Sequence, residues 1–114
     1  MDTALLRRYA AALAQAGLTK KLAILIGINP LRSAKSAHWM KAHLLGTIIP
    51  DALIARMEKA ADPAREGIRI CVDLIAELST IPGIAGVHIM APGNDSAIPE
   101  VIAEAKSRVQ KAAV

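Results

Sequence analysis

The sequence has almost no aromatic residues, with one Trp, one Tyr and no Phe among 114 residues. Proteins that bind single-stranded nucleic acid stack bases on aromatic side chains and concentrate Lys and Arg in a basic stripe. Here the net charge is +4, and the basic residues are spread along the chain with short pairs at Arg7-Arg8 and Lys20-Lys21. Composition therefore argues against a nucleic-acid partner, and the core must be built from aliphatic residues and Met.

Cysteine and long apolar runs are also scarce. The single cysteine, Cys71, excludes an internal disulfide framework and fits a reducing cytoplasm. No apolar run approaches the ~20 residues of a membrane-spanning helix, and the N-terminal residues lack the pattern of a secretory signal. The three histidines are not at metal-ligand spacing. We therefore expect a cytoplasmic chain with no membrane partner and no metal.

Hydrophobic residues make up 54% of the chain, which excludes disorder, and the length allows one domain at most. The apolar run Leu22–Ile26 predicts a strand that is covered on both faces, as in a parallel sheet flanked by helices. Gly27 and Pro30 are predicted to end its pairing, and Ser33 is placed to cap the next helix. In α/β proteins, the loop after such a strand is where ligands bind.

The remaining patterns predict a second strand and five helices in the order α-β-α-α-α-β-α. The second strand is predicted at Ile84–Met90, parallel to the first because a long helical crossover separates them. Helices are predicted over 3–16, over 33–45, from Pro50, from Asp62-Pro63 to about Leu78, and from about 96–99. The predicted core-facing positions are Leu6, Tyr9, Leu13 and Ala16, then Ala37, Met40 and Leu44, then Leu53, Ile54, Met57 and Ala61, then Ile68, Cys71, Val72, Ile75 and Leu78, then Ile98, Val101, Ile102, Ala105 and Val109.

Two apolar parallel strands do not form a complete sheet, because sheets of this kind normally have more strands and both faces covered. We therefore expect residues 1–114 to be a single partial α/β domain.

Several polar residues follow the two predicted strands. Asn29 and Asn94 are candidates to bond a ligand, although turn-forming roles explain them equally well. Arg32 and Lys35 follow the first strand, where a phosphate or carboxylate is able to bind, but they are also explained as solvated charges.

Three other residues have simple structural explanations. His88 alternates with Val87 and Ile89 along its strand, and a core or barrel-interior histidine is favoured over an acid/base because no carboxylate or nucleophile is nearby in sequence. Cys71 is predicted to be a buried small hydrophobe, and Trp39 to be an exposed or interface aromatic.

Four segments resemble the C-terminal part of the methylenetetrahydrofolate reductase family. They are GINPLRSAKSAHWM (27–40), IIPD (48–51) with Arg56 after it, EGIRICVDLIAEL (66–78) and PGIAGVHIM (82–90). The resemblance implies a (β/α)8 TIM barrel of which this chain supplies the C-terminal βα units, namely strands seven and eight with their helices. It also implies reduction of 5,10-methylenetetrahydrofolate to 5-methyltetrahydrofolate by NAD(P)H through bound FAD.

The resemblance also places folate-contacting positions. The family's aromatic that stacks on the aminobenzoate falls at Met40, and a neighbouring polar contact falls at Ser36. The apolar and basic contacts after strand eight fall at Pro92 and Asn94. Met40 and Asn94 depart from the family's residue types. The flavin-contacting segments lie on earlier strands, so we expect that this chain alone does not hold FAD.

Two rival functions remain at this point. In one, the half-barrel is a non-catalytic module that self-associates or binds a partner. The reductase interpretation, by contrast, needs a homo-oligomer or a second chain that supplies the rest of the barrel. In the other, the chain is a small α/β hydrolytic enzyme, but no nucleophile–base pair supports that function.

Overall fold

A computed structural model describes the backbone of residues 2–113 and the side chains of residues 2–110. Within that part of the chain there are five α-helices, a short 3₁₀ turn at Leu18–Lys20 and two strands. The predicted order α-β-α-α-α-β-α is confirmed. The elements are α1 (Thr3–Gln15), β1 (Ile24–Ile28), α2 (Ala34–His43), α3 (Asp51–Lys59), α4 (Pro63–Leu78), β2 (Ile84–Ile89) and α5 (Ala97–Ala113).

The two strands pair in parallel, as predicted, but β1 lies two residues later than the prediction of Leu22–Ile26. Leu22 still belongs to the turn that precedes the strand, since its N–H donates to the Leu18 carbonyl. Gly27 does not end the pairing; it lies beside His88 in the register.

The described residues cover one face of this sheet and leave the other bare, which corrects the prediction that β1 is covered on both faces. Ile26 and Ile28 are buried beneath the helices, and their neighbours on β2, Val87 and Ile89, are partly buried against the same core. Leu25 lies on the opposite face and is 59% exposed, and Met90, just after β2, is 50% exposed. Residues alternate between the faces of a strand, so one face is core and the other is bare.

The core consists of two clusters of aliphatic residues. The larger cluster joins the covered sheet face to α4 and α5, and the smaller one joins α2, α3 and the loop after β1. The buried members of the larger are Ala10, Ile26, Ile28, Ile68, Cys71, Val72, Leu78, Ile81, Ala97 and Val101. Those of the smaller are Leu31, Ala37, Ile49, Ile54, Met57 and Ile70.

Most predicted core positions are confirmed, and five are wrong, among them Ile102 of α5, which is 39% exposed. Tyr9 is 55% exposed and its neighbour Ala10 is buried, so the inner stripe of α1 runs through Leu6, Ala10 and Leu13. Ala16, Leu44 and Ala61 are also exposed. Each of these three lies just beyond the end of its helix, where the helical spacing no longer holds.

The predicted helix starts are confirmed for α2 and α4. The Ser33 hydroxyl accepts a hydrogen bond from the Ser36 N–H, and the Asp62 carboxylate accepts one from the Arg65 N–H. Pro50 lies one residue before α3 rather than in its first turn. The mixed α/β fold is consistent with a partial barrel.

Candidate functional site

The two parallel strands end at the same edge of the sheet, and their following loops meet there. The Met90 N–H donates to the Ile28 carbonyl over 2.9 Å, which continues the pairing to the last residue of β1. Residues 29–33 leave β1 and residues 91–96 leave β2 at this point. The two polar loops that follow the strands therefore lie side by side at one edge of the sheet.

Side chains from each loop bind the backbone of the other. Arg32 donates from Nη1 to the Gly93 carbonyl over 3.1 Å, and Asn94 donates from Nδ2 to the Pro30 carbonyl over 3.4 Å. Gly93 has a φ of 71°, a left-handed conformation that glycine adopts without steric cost. These bonds give Arg32 and Asn94 a role in joining the loops, in addition to any contact with a ligand.

Ser36 belongs to the start of α2. Its hydroxyl accepts from the Ser33 N–H over 3.3 Å and donates to the Ser33 carbonyl over 3.0 Å. These bonds, with the one from the Ser36 N–H to the Ser33 hydroxyl, make a reciprocal capping box. The capping box fixes the direction in which α2 leaves the site.

Met40 lies one turn further along α2 and is half-buried, with part of its side chain packed against the smaller core cluster. Its neighbour Trp39 is exposed, as predicted, and stacks on His43 with ring centroids 4.9 Å apart. Met40 therefore combines core packing with a partly accessible surface.

Asn29 and Pro92 are exposed, one in each loop. Lys35 and the guanidinium of Arg32 add positive charge beside them. The edge thus offers amide groups, two cations and an apolar ring. The positive charge suits binding of a ligand that carries a carboxylate or a phosphate.

Two titratable side chains that the sequence singles out, Cys71 and His88, lie outside this edge. Burial raises the pKa of the Cys71 thiol to about 11, so it is not a nucleophile at neutral pH, and its prediction as a buried hydrophobe is confirmed. His88 is exposed on the bare sheet face, opposite to Val87 and Ile89 as predicted, so it lies outside the core of the described residues, and its assignment as a barrel-interior histidine stays a prediction. No His, Cys, Asp or Glu cluster suited to a metal occurs among the residues searched.

Sequence reasoning missed the two backbone carbonyls, of Pro30 and Gly93, that hold the loops together. It also missed Gly67 of α4, where the helix touches the loop after β1. A Cβ placed on Gly67 would lie 1.7 Å from the Leu31 carbonyl oxygen. A glycine within an otherwise apolar helix is the signal for such a close approach.

Comparison with known families gives one finding. The family model described as methylenetetrahydrofolate reductase matches residues 1–106. The comparisons with curated proteins and with solved structures find no match. Of the helices in the described residues, none combines the length and apolar character needed to cross a membrane.

Proposed function

Because the chain belongs to the methylenetetrahydrofolate reductase family, we propose that it forms one wall of a pocket in which 5,10-methylenetetrahydrofolate is reduced to 5-methyltetrahydrofolate by NAD(P)H through FAD. In this proposal, residues 1–114 are the C-terminal βα units of a (β/α)8 barrel. The family match favours this function over a non-catalytic module.

The observation that supports a ligand site is the joining of the two loops at the carboxyl edge of the sheet. In barrels and open α/β sheets, ligands bind at this edge. The hydrogen bonds from Arg32 and Asn94 hold the two loops in a fixed relation. A rigid wall of this kind is suited to orient a substrate.

The proposed contacts divide by chemistry. Met40 offers a polarizable thioether to the aminobenzoate ring, with weaker stacking than an aromatic residue would give. Pro92 provides an apolar contact and Asn29 an exposed amide. Ser36 and Asn94 already donate hydrogen bonds to backbone carbonyls of the loops. They therefore contact a ligand only through donors and acceptors that these bonds do not use. Arg32 provides a positive charge near the acidic end of a folate.

Members of the family generally depend on FAD, which supplies hydride transfer chemistry when it is bound. The described residues do not fit a flavin site. A flavin dinucleotide needs a backbone cradle for its phosphates. Here the first turn of α2 is closed by its own capping box, and Arg32 is bonded to Gly93. We therefore propose that FAD is held by other parts of the barrel.

Folate binding is tested with the chain labelled with ¹³C at its methionine methyl groups. We expect the Met40 methyl resonance to shift on titration with 5-methyltetrahydrofolate, because the proposal places Met40 against the aminobenzoate ring and its side chain is partly exposed. Met57 is the internal control, since it lies in the same cluster but is buried. Resonances that stay fixed at saturating folate, or that move only at Met57, would contradict the proposed wall.

A further inference from the structure

His88 is a polar side chain on a sheet face that is otherwise apolar. The other residues of β1 and β2 are aliphatic or glycine. Within the described part of the chain, the His88 imidazole makes no hydrogen bond or ion pair, whereas His38 is bonded to Glu58 and His43 to the Trp39 carbonyl. Both ring nitrogens of His88 are therefore free to bond a ligand.

A gap beside His88 leaves its ring open to the strand ends. Gly27 lies opposite His88 in the register and has no side chain to cover the imidazole. The Met90 methyl lies 3.9 Å from the position that a Cβ on Gly27 would take, so it borders the gap. Side chains alternate along a strand, and Met90 therefore projects from the same face as His88. We call this gap the Gly27 slot: Gly27 is its floor, and His88 and Met90 are its sides.

The Gly27 slot lies directly below the candidate site. The Met90 N–H donates to the Ile28 carbonyl, and the two polar loops begin at this level. His88 precedes Met90 by two residues, a step of about 7 Å along the strand. In (β/α)8 barrels the active site lies at the carboxyl ends of the strands and draws side chains from those ends. A ligand held by the loops therefore reaches His88 when one of its rings enters the slot.

The slot has the chemistry to bind a planar nitrogen heterocycle. Met90 offers a polarizable thioether to the face of a ring, and the glycine backbone allows a close approach. The neutral imidazole offers one donor and one acceptor to the edge of the ring. The pterin ring of a folate carries adjacent amide and amino groups that match this pair. The proposed function already assigns the other parts of the folate to Met40 and Arg32, which leaves the pterin for the slot.

We propose that His88 binds and orients the pterin ring of the folate in the Gly27 slot, through hydrogen bonds from its ring nitrogens. The inference rests on the proposed function, because it requires the bare sheet face to be the interior of a barrel. It adds a contact on the strands to the contacts proposed on the loops and α2. A histidine that only fills the interior would not distinguish a ligand with a pterin from one without it.

The test uses the chain labelled with ¹⁵N in its histidine rings and ¹³C in its methionine methyl groups. We expect 5-methyltetrahydrofolate to shift the ring nitrogens of His88 and the methyl group of Met40. We expect p-aminobenzoylglutamate, which lacks the pterin, to shift Met40 and to leave His88 unchanged. His38 is the internal control, since its Nε2 is bonded to Glu58 over 2.9 Å.

Two variants separate the ligand contact from the stability of the sheet. Gly27→Ala fills the floor of the slot, and His88→Phe keeps a flat ring but removes both nitrogens. We expect each to weaken 5-methyltetrahydrofolate binding at least about tenfold and to change p-aminobenzoylglutamate binding by less than about twofold. Leu25→Ala is the matched control, since Leu25 lies on the same face but beside Gly86. Circular dichroism confirms that each variant stays folded.

The outcomes distinguish this inference from the proposed function. If 5-methyltetrahydrofolate shifts Met40 but not His88, the folate wall stands and the role of His88 is wrong. The role is also wrong if both ligands shift His88 equally, because the imidazole then does not contact the pterin. If 5-methyltetrahydrofolate shifts neither residue, the proposed function and the inference are both overturned.

Discussion

Gly67 is the residue at which α4 comes closest to the site, through the Leu31 carbonyl. We expect Gly67→Ala to lower the free energy of unfolding by at least about 3 kcal/mol, because the new methyl overlaps backbone rather than a flexible side chain. Urea unfolding of both proteins measures the difference. The control is Gly27→Ala, where the nearest atom to a Cβ is the Met90 methyl at 3.9 Å. For Gly27→Ala, we expect the free energy of unfolding to change by no more than about 1 kcal/mol. Equal effects at the two glycines would contradict the close contact.

Arg32 and Asn94 show where residue-level sequence reasoning stops. Their positions after two strands are enough to predict that they lie near each other. The pairing of Arg32 with the Gly93 carbonyl and of Asn94 with the Pro30 carbonyl depends on the register of the strands. A shift of register would move both acceptors, and nothing in the local sequence specifies it.

The helices α3, α4 and α5 are joined by a cluster of charged side chains centred on Asp73. Arg56 of α3 binds both Glu66 and Asp73 of α4, and Arg108 of α5 binds Asp73 from the other side. Partial burial by itself would raise the pKa of Asp73, but the hydrogen bonds from Arg108 and Arg56 outweigh it and lower the pKa. The ionised form is therefore favoured in the folded protein.

This lowered pKa gives the cluster a defined pH dependence. A carboxyl group with a depressed folded pKa stabilises the protein above its unfolded pKa, about 3.9 for Asp, and the contribution is lost as pH falls through the folded value. We expect Asp73→Asn to lower the melting temperature at pH 6 and to have little effect near pH 2. Glu77→Gln is the control, since Glu77 lies 3.9 Å from Arg7 in an open pair. If the difference in melting temperature between the unmodified chain and Asp73→Asn stays constant with pH, the role of ionisation is contradicted.

The same elements show how far sequence patterns predict the fold. The bounds and inner face of α4 follow from its Asp62-Pro63 start and its regular apolar spacing. The predicted face of α1 is correct at Leu6 and Leu13 but misses Ala10, because this helix is rich in alanine, which fits the inside and the outside equally well. The predicted C-terminal bound of β1 is wrong because glycine often ends a strand, whereas Gly27 lies within the ladder opposite its strand partner.

At the scale of the whole chain, the sheet is the unusual feature. Parallel sheets occur almost only with both faces covered. Here the helices lie on one face, and Leu25 and Met90 remain exposed on the other. Two successive βα units of a barrel would have this form, with a helix layer outside and a bare face toward the barrel interior. The bare face and the free edges are thus consistent with the partial barrel that the family match supports.

A division of the pocket between this chain and the rest of a barrel makes one further prediction. If this chain supplies only the folate side, FAD has no phosphate cradle to bind on it. We expect the visible absorption and fluorescence of FAD to stay unchanged when the purified chain is added in excess. The heat-unfolded chain serves as the control for non-specific adsorption. A saturable shift at one FAD per chain would show that the described loops hold the flavin themselves, and the proposed division of the pocket would then be wrong. The split pocket requires two results together: the FAD spectrum stays unchanged, and the Met40 resonance shifts with folate. This chain then binds the folate and leaves FAD to the rest of the barrel.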